Sequence, residues 1–374
     1  FLEVVKKFMP DIVHFQHLGG GLSTSILPAA HRRGLPTVLT LHDFWHMCFR
    51  SHLLSTDGQL CSGPDGGLRC IDCYIAQRQT EFALSSVRAR VKQLGLWKAI
   101  RQLPRFAAFW TMKRLFPIAQ TITADLSALG IRDHYMRQLV TSADALLAPS
   151  RFLRDFFVQW GVPADQITYF PNGIAPGLRP KPITDSAAHR FGYIGGFHPY
   201  KGLKVLIGAF NQLTDVDVTL QIWGAASTPA TREYAAQLQS MCRNARVQFA
   251  GEFPHSRLDE VLAGLDMLIL PSIIYENSPM SILEAFAAGV PVIASNVGGM
   301  AELVQHDVNG LLFEMGNQDD LAEKIRFAAT HPERIRMYRH NITPPPTSEQ
   351  IGKSIEALYT DLIKSHQSRR IDRD

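Results

Sequence analysis

Short apolar runs alternate with amphipathic stretches along the chain, and the hydrophobic period changes at each boundary. In the first half, residues 11–15, 37–41, 143–148 and 167–170 read as buried strands. Brief apolar runs bounded by Gly, Pro or Asn suit strands covered on both faces. Residues 151–160 have helical spacing and stop at Gly161. The second half is more regular. Strands are expected at 190–194, 218–223, 247–250, 267–270, 291–294 and 310–313, with helices at 202–213, 231–242, 257–264, 279–288 and 319–329. Strand-helix alternation of this kind predicts an α/β fold with two doubly wound parallel sheets. A proline-bearing stretch at 175–189 reads as the linker. A last helix at 348–364 follows Pro344-Pro345-Pro346, and residues 365–374 are expected to be a disordered polar tail. The expected domains are therefore 1–180 and 181–342, with 343–374 as a terminal helix and tail.

At 374 residues the chain is long enough for two domains. Hydrophobic residues make up 46% and charged residues 19%, so each domain can build a core. A net charge of +4 is too weak to argue for nucleic acid. No run is apolar for about 20 residues, the length a membrane-spanning helix needs. Phe1 opens the chain in place of Met, within an apparent helix, which is expected of a fragment.

Two strand ends carry the densest chemistry. After the strand at 267–270 comes Pro271-Ser272-Ile273-Ile274-Tyr275-Glu276-Asn277-Ser278-Pro279-Met280-Ser281-Ile282-Leu283-Glu284. Glu276 lies in the loop, Ser278 is the expected N-cap, Pro279 the first helical residue, and Glu284 lies just over one turn inside. The N–H groups from Ser278 to Ser281 suit an anion, and carboxylates accept hydrogen bonds from hydroxyls. The strand at 190–194 runs into Gly195-Gly196-Phe197-His198-Pro199-Tyr200-Lys201. The glycines permit close approach of a ligand. A lysine at a helix start opposes the helix dipole, and an anionic ligand would relieve that conflict. A third strand end, Ser295-Asn296-Val297-Gly298-Gly299-Met300-Ala301-Glu302, repeats the glycine turn. Each piece alone is an ordinary turn; their order after consecutive strands points to a phosphate-and-sugar site. The Gly-x-Gly-x-x-Gly and distant acid of a dinucleotide oxidoreductase do not occur in combination.

At these residues the chain resembles the family-4 glycosyltransferases, which have the GT-B fold: two Rossmann-like domains facing across a cleft. Glu276 to Glu284 is similar to that family's glutamate–seven–glutamate motif. The resemblance implies that Glu276 contacts hydroxyls of the transferred sugar, Glu284 the ribose, and Lys201 the donor diphosphate. It places Gly195, Gly196, Asn277, Ser278, Pro279, Met280 and Ser281 around the same nucleoside-diphosphate sugar. Gly196 stands where the family usually has an arginine. Thr40-Leu41-His42-Asp43 resembles the family's strand-end histidine, so His42 joins Glu276 and Lys201 as a catalytic candidate facing the sugar. His14 and His17 lie near a neighbouring strand end, as cleft-lining or structural residues. The family's first strand and glycine-rich loop are expected before Phe1. The resemblance further implies retention of configuration without an obligatory metal or other cofactor. No Asp-x-Asp accompanies the donor loops, which leaves Lys201 and helix N-termini to meet the leaving-group charge. The alternative is a catalytically silent nucleotide-sugar-binding or scaffolding relative.

Two features stand apart. Cys48, Cys61, Cys70 and Cys73 lie in an insertion at 46–75 that ends in Cys-x-x-Cys, half of a structural zinc site. Disulfides and unligated thiols are the alternatives; a fifth cysteine, Cys242, makes the count odd and favours a reducing cytoplasm. Residues 78–120 hold nine Lys/Arg and one acid, Glu81, interleaved with Trp97, Phe106, Phe109, Trp110 and Phe116. Amphipathic basic helices at 91–103 and 106–115 would suit an anionic membrane surface, hence a peripheral location on the inner face of the cell membrane. A glycan or lipid-linked acceptor, in cell-envelope polysaccharide or glycolipid synthesis, follows from that reading.

Overall fold

In the computed structural model of the chain, the described residues are 1–19, 22–79, 118–180 and 188–371. The basic helices expected at 91–103 and 106–115 lie outside them. Two parallel sheets organise the fold. The first runs β1 (Val13–Phe15), β2 (Thr37–Thr40), β3 (Ala145–Ala148) and β4 (Ile167–Tyr169), side by side in that order. With it go helices α1 (Leu2–Phe8), α2 (Ile26–Arg32), α3 (Ile71–Gln79), α4 (Ile118–Thr141) and α5 (Arg151–Trp160). Helix α5 shows how local sequence sets an element. Ser150 is extended and its Oγ accepts from Leu153 N, a cap that contributes about 1 kcal/mol. Gly161, at φ 109°, closes the far end, while Leu153, Phe157 and Trp160 bury one face.

The second sheet comprises β5 (Arg190–Ile194), β6 (Thr219–Trp223), β7 (Val247–Gly251), β8 (Met267–Leu270), β9 (Val292–Ser295) and β10 (Gly310–Phe313), in spatial order β10-β9-β8-β5-β6-β7. Between its strands lie α6 (Leu203–Phe210), α7 (Pro229–Met241), α8 (Leu258–Ala263), α9 (Met280–Ala287) and α10 (Gly298–Leu303), with α11 (Gln318–Thr330) and α12 (Pro332–Asn341) after the last strand. All four residues of β8 are buried. At about 1.5–3 kcal/mol per large apolar side chain, such a strand anchors its sheet. The winding reverses between β5 and β8. Asp266 ties those two strands at their start: its carboxylate accepts from Arg190 N at 3.0 Å and Arg190 Nη2 at 2.9 Å. Burial acts to raise its pKa, but the Arg190 hydrogen bonds outweigh that and lower it.

Helix α13 (Ser348–Ile371) closes the chain. It continues through residues expected to be a disordered tail; 365–371 contain no Gly or Pro to stop it, and His366 Nδ1 lies 3.9 Å from Asp144 of the first domain. Where α13 begins, Ile174 and Thr347 form a parallel bridge, with Ile174 N donating to Pro346 O and Ser348 N to Ile174 O, both at 2.9 Å. A Cβ at Gly173 would sit 2.8 Å from Ser348 Cα, so this crossing is tightly packed. Further along, Tyr359 Oη lies 2.6 Å from His14 Nδ1, and Thr40 Oγ1 lies 2.7 Å from His14 Nε2. His14 is thus a structural link; burial, then His42, lowers its pKa to about 4. Among the described residues, no helix is long and apolar enough to cross a membrane.

Candidate active site

Ligands of open α/β sheets bind at the carboxyl edge where the strand order reverses. Here that edge is formed by the ends of β5 and β8, the two strands carrying the glycine–lysine and glutamate segments. After β5, Gly195 leaves no room for a side chain: a Cβ there would lie 2.7 Å from Tyr193 Oη. The Tyr193 hydroxyl donates to Gly196 O at 2.9 Å and holds the turn. Lys201 sits in a 3-10 turn, Pro199–Lys201, immediately before α6 rather than in its first turn. The reason is Gly202, at φ 74°, which breaks the two helical segments and packs so closely that a Cβ would meet Pro271 O at 1.7 Å. Ile273 N donates to Tyr200 O at 2.9 Å, so the lysine turn is stitched to the loop that follows β8.

The two segments meet in an ion pair. Lys201 Nζ donates to Glu276 Oε1 at 2.6 Å, and Ser272 Oγ donates to the same oxygen at 2.7 Å. The Lys201 side chain is 29% exposed and that of Glu276 14%, so the pair is largely withdrawn from water. Glu276 and Lys201, expected to flank a ligand, therefore neutralise each other here. Helix α9 starts one residue later than expected: Pro279 is the N-cap, its carbonyl accepting from Ile282 N at 3.0 Å, and Ser278 belongs to the loop. Met280 is exposed. Glu284, inside α9, faces His255 Nε2 at 3.4 Å. Burial raises its pKa and His255 opposes the rise. Gly298 and Gly299 buttress the loop from α10. Gly299 N donates to Glu276 O at 2.7 Å, and a Cβ at Gly299 would lie 1.5 Å from Asn277 O.

Across the cleft, His42 follows β2. Its ring is open to solvent on one side, and Gln16 Oε1 lies 3.0 Å from Nε2. Partial withdrawal from water, then His17, lowers its pKa, while Asp43 acts to raise it. The shift favours the neutral ring, which can both donate and accept a hydrogen bond. His17 lies 3.3 Å from Asp43 and accepts from Gly19 N at 2.8 Å. Asn277, placed among the donor-facing residues by its neighbours in sequence, turns its side chain toward the first domain. Its Nδ2 donates to His42 O at 3.0 Å and its Oδ1 accepts from Ser150 Oγ at 2.5 Å. Tyr275 packs beside Phe152, Phe156 and Phe44, with ring centroids 5.1–6.1 Å apart. Three partners were not assigned from sequence: Ser272, His255 and Tyr275. For His255 the signal is spatial only, since it lies 29 positions from Glu284.

The four insertion cysteines are partly buried free thiols. They share one neighbourhood: burial, then Cys48, Cys61 and Cys73, push the Cys70 thiol up to about 12. Cys61 donates to Gly63 O at 3.4 Å, and Cys73 accepts from Arg50 Nη1 at 3.6 Å. As arranged, no three His, Cys, Asp or Glu side chains among the described residues converge to hold a metal ion.

Known proteins agree with this architecture. The sequence profile described as glycosyl transferases group 1 matches residues 178–366, and that of a glycosyl transferase 4-like domain matches 95–173. The first spans half the chain and contains both strand-end segments, those of Lys201 and Glu276. The chain belongs to the family-4 glycosyltransferases. An N-acetyl-alpha-D-glucosaminyl L-malate synthase of Bacillus anthracis is 27% identical over 184 residues, covering 48% of this chain and 47% of that protein. A glycogen synthase of Mycobacterium tuberculosis is 30% identical over 232 residues, covering 59% of this chain and 55% of that protein. The chain thus spans about half the length of the curated relatives it matches. Among solved structures, Anabaena HepE in complex with UDP and glucose superposes with a TM-score of 0.63 at 18% identity, covering 96% of this chain and 80% of HepE. Sucrose-phosphate synthase of Thermosynechococcus elongatus gives 0.55 at 19% identity, over 95% and 96%. At such identities the likeness concerns the GT-B fold of this family member.

Proposed function

We propose that the protein transfers a sugar from a nucleoside-diphosphate sugar to an acceptor hydroxyl with retention of configuration. The observation that carries this reading is the Lys201–Glu276 pair at the β5–β8 reversal, beside the buttressed loop that leads into Glu284. An arriving diphosphate takes Lys201 as its counter-ion. Glu276 is then released to accept hydrogen bonds from sugar hydroxyls, and Glu284, half-buried near His255, takes the ribose. Lys201 and the N-terminus of α9 meet the charge that develops on the leaving phosphate, so no metal is required. His42 orients the sugar from the first domain. The acceptor hydroxyl attacks on the face from which the phosphate leaves, its proton passing to the departing phosphate oxygen. A nucleoside-diphosphate donor is also supported by the UDP bound to HepE. The acceptor we propose is a glycan or glycolipid of the cell envelope, met at the inner membrane surface.

Thermal shift against UDP, GDP, ADP and their sugar conjugates tests the donor site. One nucleoside diphosphate at about 100 times its Kd should stabilise by about 2.7 kcal/mol, and Glu284→Ala should remove most of that response. A response unchanged in Glu284→Ala would overturn its ribose role. Uniform silence across the nucleotides would favour the scaffolding relative.

The shared neighbourhood of the four thiols supports one separate proposal, that the insertion closes on a structural zinc by turning its side chains inward. Elemental analysis should then find one zinc per chain, lost in Cys73→Ser; zinc-free parent protein ends the idea.

A further inference from the structure

We propose that Glu302 is a positioning residue: its carboxylate caps a helix of the opposite domain and thereby docks the donor loop against the strand end that carries His42. The first N–H groups of a helix have no partner within it. At the start of α5, two of them point at the second domain. Arg151 N donates to Glu302 Oε1 at 3.0 Å, and Phe152 N donates to Glu302 Oε2 at 2.8 Å. A carboxylate astride two N–H groups, at the positive end of a helix dipole, forms charge-assisted hydrogen bonds with both. The Arg151 guanidinium adds a cation 3.6 Å from Oε1 and stacks 4.1 Å above Tyr169. The Glu302 side chain is 19% exposed.

Helix α5 already has a cap of its own, since Ser150 Oγ accepts from Leu153 N. The carboxylate from the other domain is therefore not needed to form the helix. What it adds is a fixed distance between domains. That distance reaches the chemistry through α10, whose Gly299 N holds Glu276 O at 2.7 Å and whose backbone lies against Asn277 with no space for a side chain. Asn277 in turn holds His42 O at 3.0 Å and Ser150 Oγ at 2.5 Å. Glu302, α10 and the donor loop move as one body, and capping α5 sets that body beside His42. Both Glu302 oxygens are engaged by the α5 backbone, which makes the residue a docking group.

The docking stands on these contacts; its kinetic consequence rests on the transfer reading. Hydrogen exchange of residues 149–156, nucleoside-diphosphate binding and steady-state transfer are to be measured for the full chain, Glu302→Ala and Glu302→Gln. In Glu302→Ala, exchange at Arg151 and Phe152 should rise by about tenfold or more, as expected for losing two charge-assisted hydrogen bonds. Nucleoside-diphosphate Kd should stay within about twofold while kcat falls by about tenfold, because nucleotide contacts lie within the second domain and domain spacing does not. Glu302→Gln keeps one acceptor and should restore part of both effects. Unchanged exchange in Glu302→Ala overturns the docking. Normal kcat, or nucleotide binding lost in step with kcat, overturns the positioning role. Should the parent chain transfer no sugar, the reading of the site fails, and the exchange result alone decides the docking.

Discussion

Lys201→Ala should lower transfer by about two to three orders of magnitude, the usual loss when a single group that stabilises developing negative charge is removed. The 3-10 turn after β5 places the residue at the strand-end edge, where it pairs with Glu276 at 2.6 Å. Removing the cation leaves Glu276 facing the diphosphate with no neutralising neighbour. Nucleoside-diphosphate affinity should therefore fall by about tenfold or more as well, like charge replacing attraction. The measurement is steady-state transfer with calorimetric titration of the nucleotide. A variant that keeps near-parental kcat would remove Lys201 from the leaving-group role.

Glu276→Gln separates binding from transfer. The substitution keeps the shape of the side chain and can still accept from Ser272, but it no longer holds the Lys201 charge. Nucleoside diphosphate then meets a free cation and one fewer anion, so its affinity should improve by about tenfold. Transfer should nevertheless fall by about a hundredfold, because the carboxylate that positions the sugar hydroxyls is gone. Opposite movements of Kd and kcat are the mark of an ion pair that opens when donor arrives. Parallel weakening of both would mean that Glu276 serves the nucleotide directly.

Much of the fold was legible because parallel strands buried on both faces write themselves as short apolar runs, Met267 to Leu270 being the clearest. The shared edge of Lys201 and Glu276 was legible for the same reason: glycines and charged residues directly after such runs have only the carboxyl edge to occupy. What could not be read were partners far apart in the chain. Lys201 and Glu276 are 75 positions apart, and their order showed a shared edge but not that they pair. Glu302 looked like the end of a glycine turn, because the groups it binds are backbone N–H groups, which carry no residue signature. Asn277 was grouped with its neighbours, yet the loop turns its amide the other way. The final helix outran its expected end because Ser365 to Ile371 are polar enough to resemble a tail while containing nothing that stops a helix. The cysteines announced themselves by spacing, but spacing does not fix where four sulfur atoms point.

The bridge between Ile174 and Thr347 has a mechanical consequence. The outgoing and returning crossings lie side by side and are bonded to each other, so neither can slide along the other independently. Sliding them apart would have to break Ile174 N to Pro346 O or Ser348 N to Ile174 O. The two connections between the halves are thus tied to one another beside Gly173, where there is no room for a larger residue.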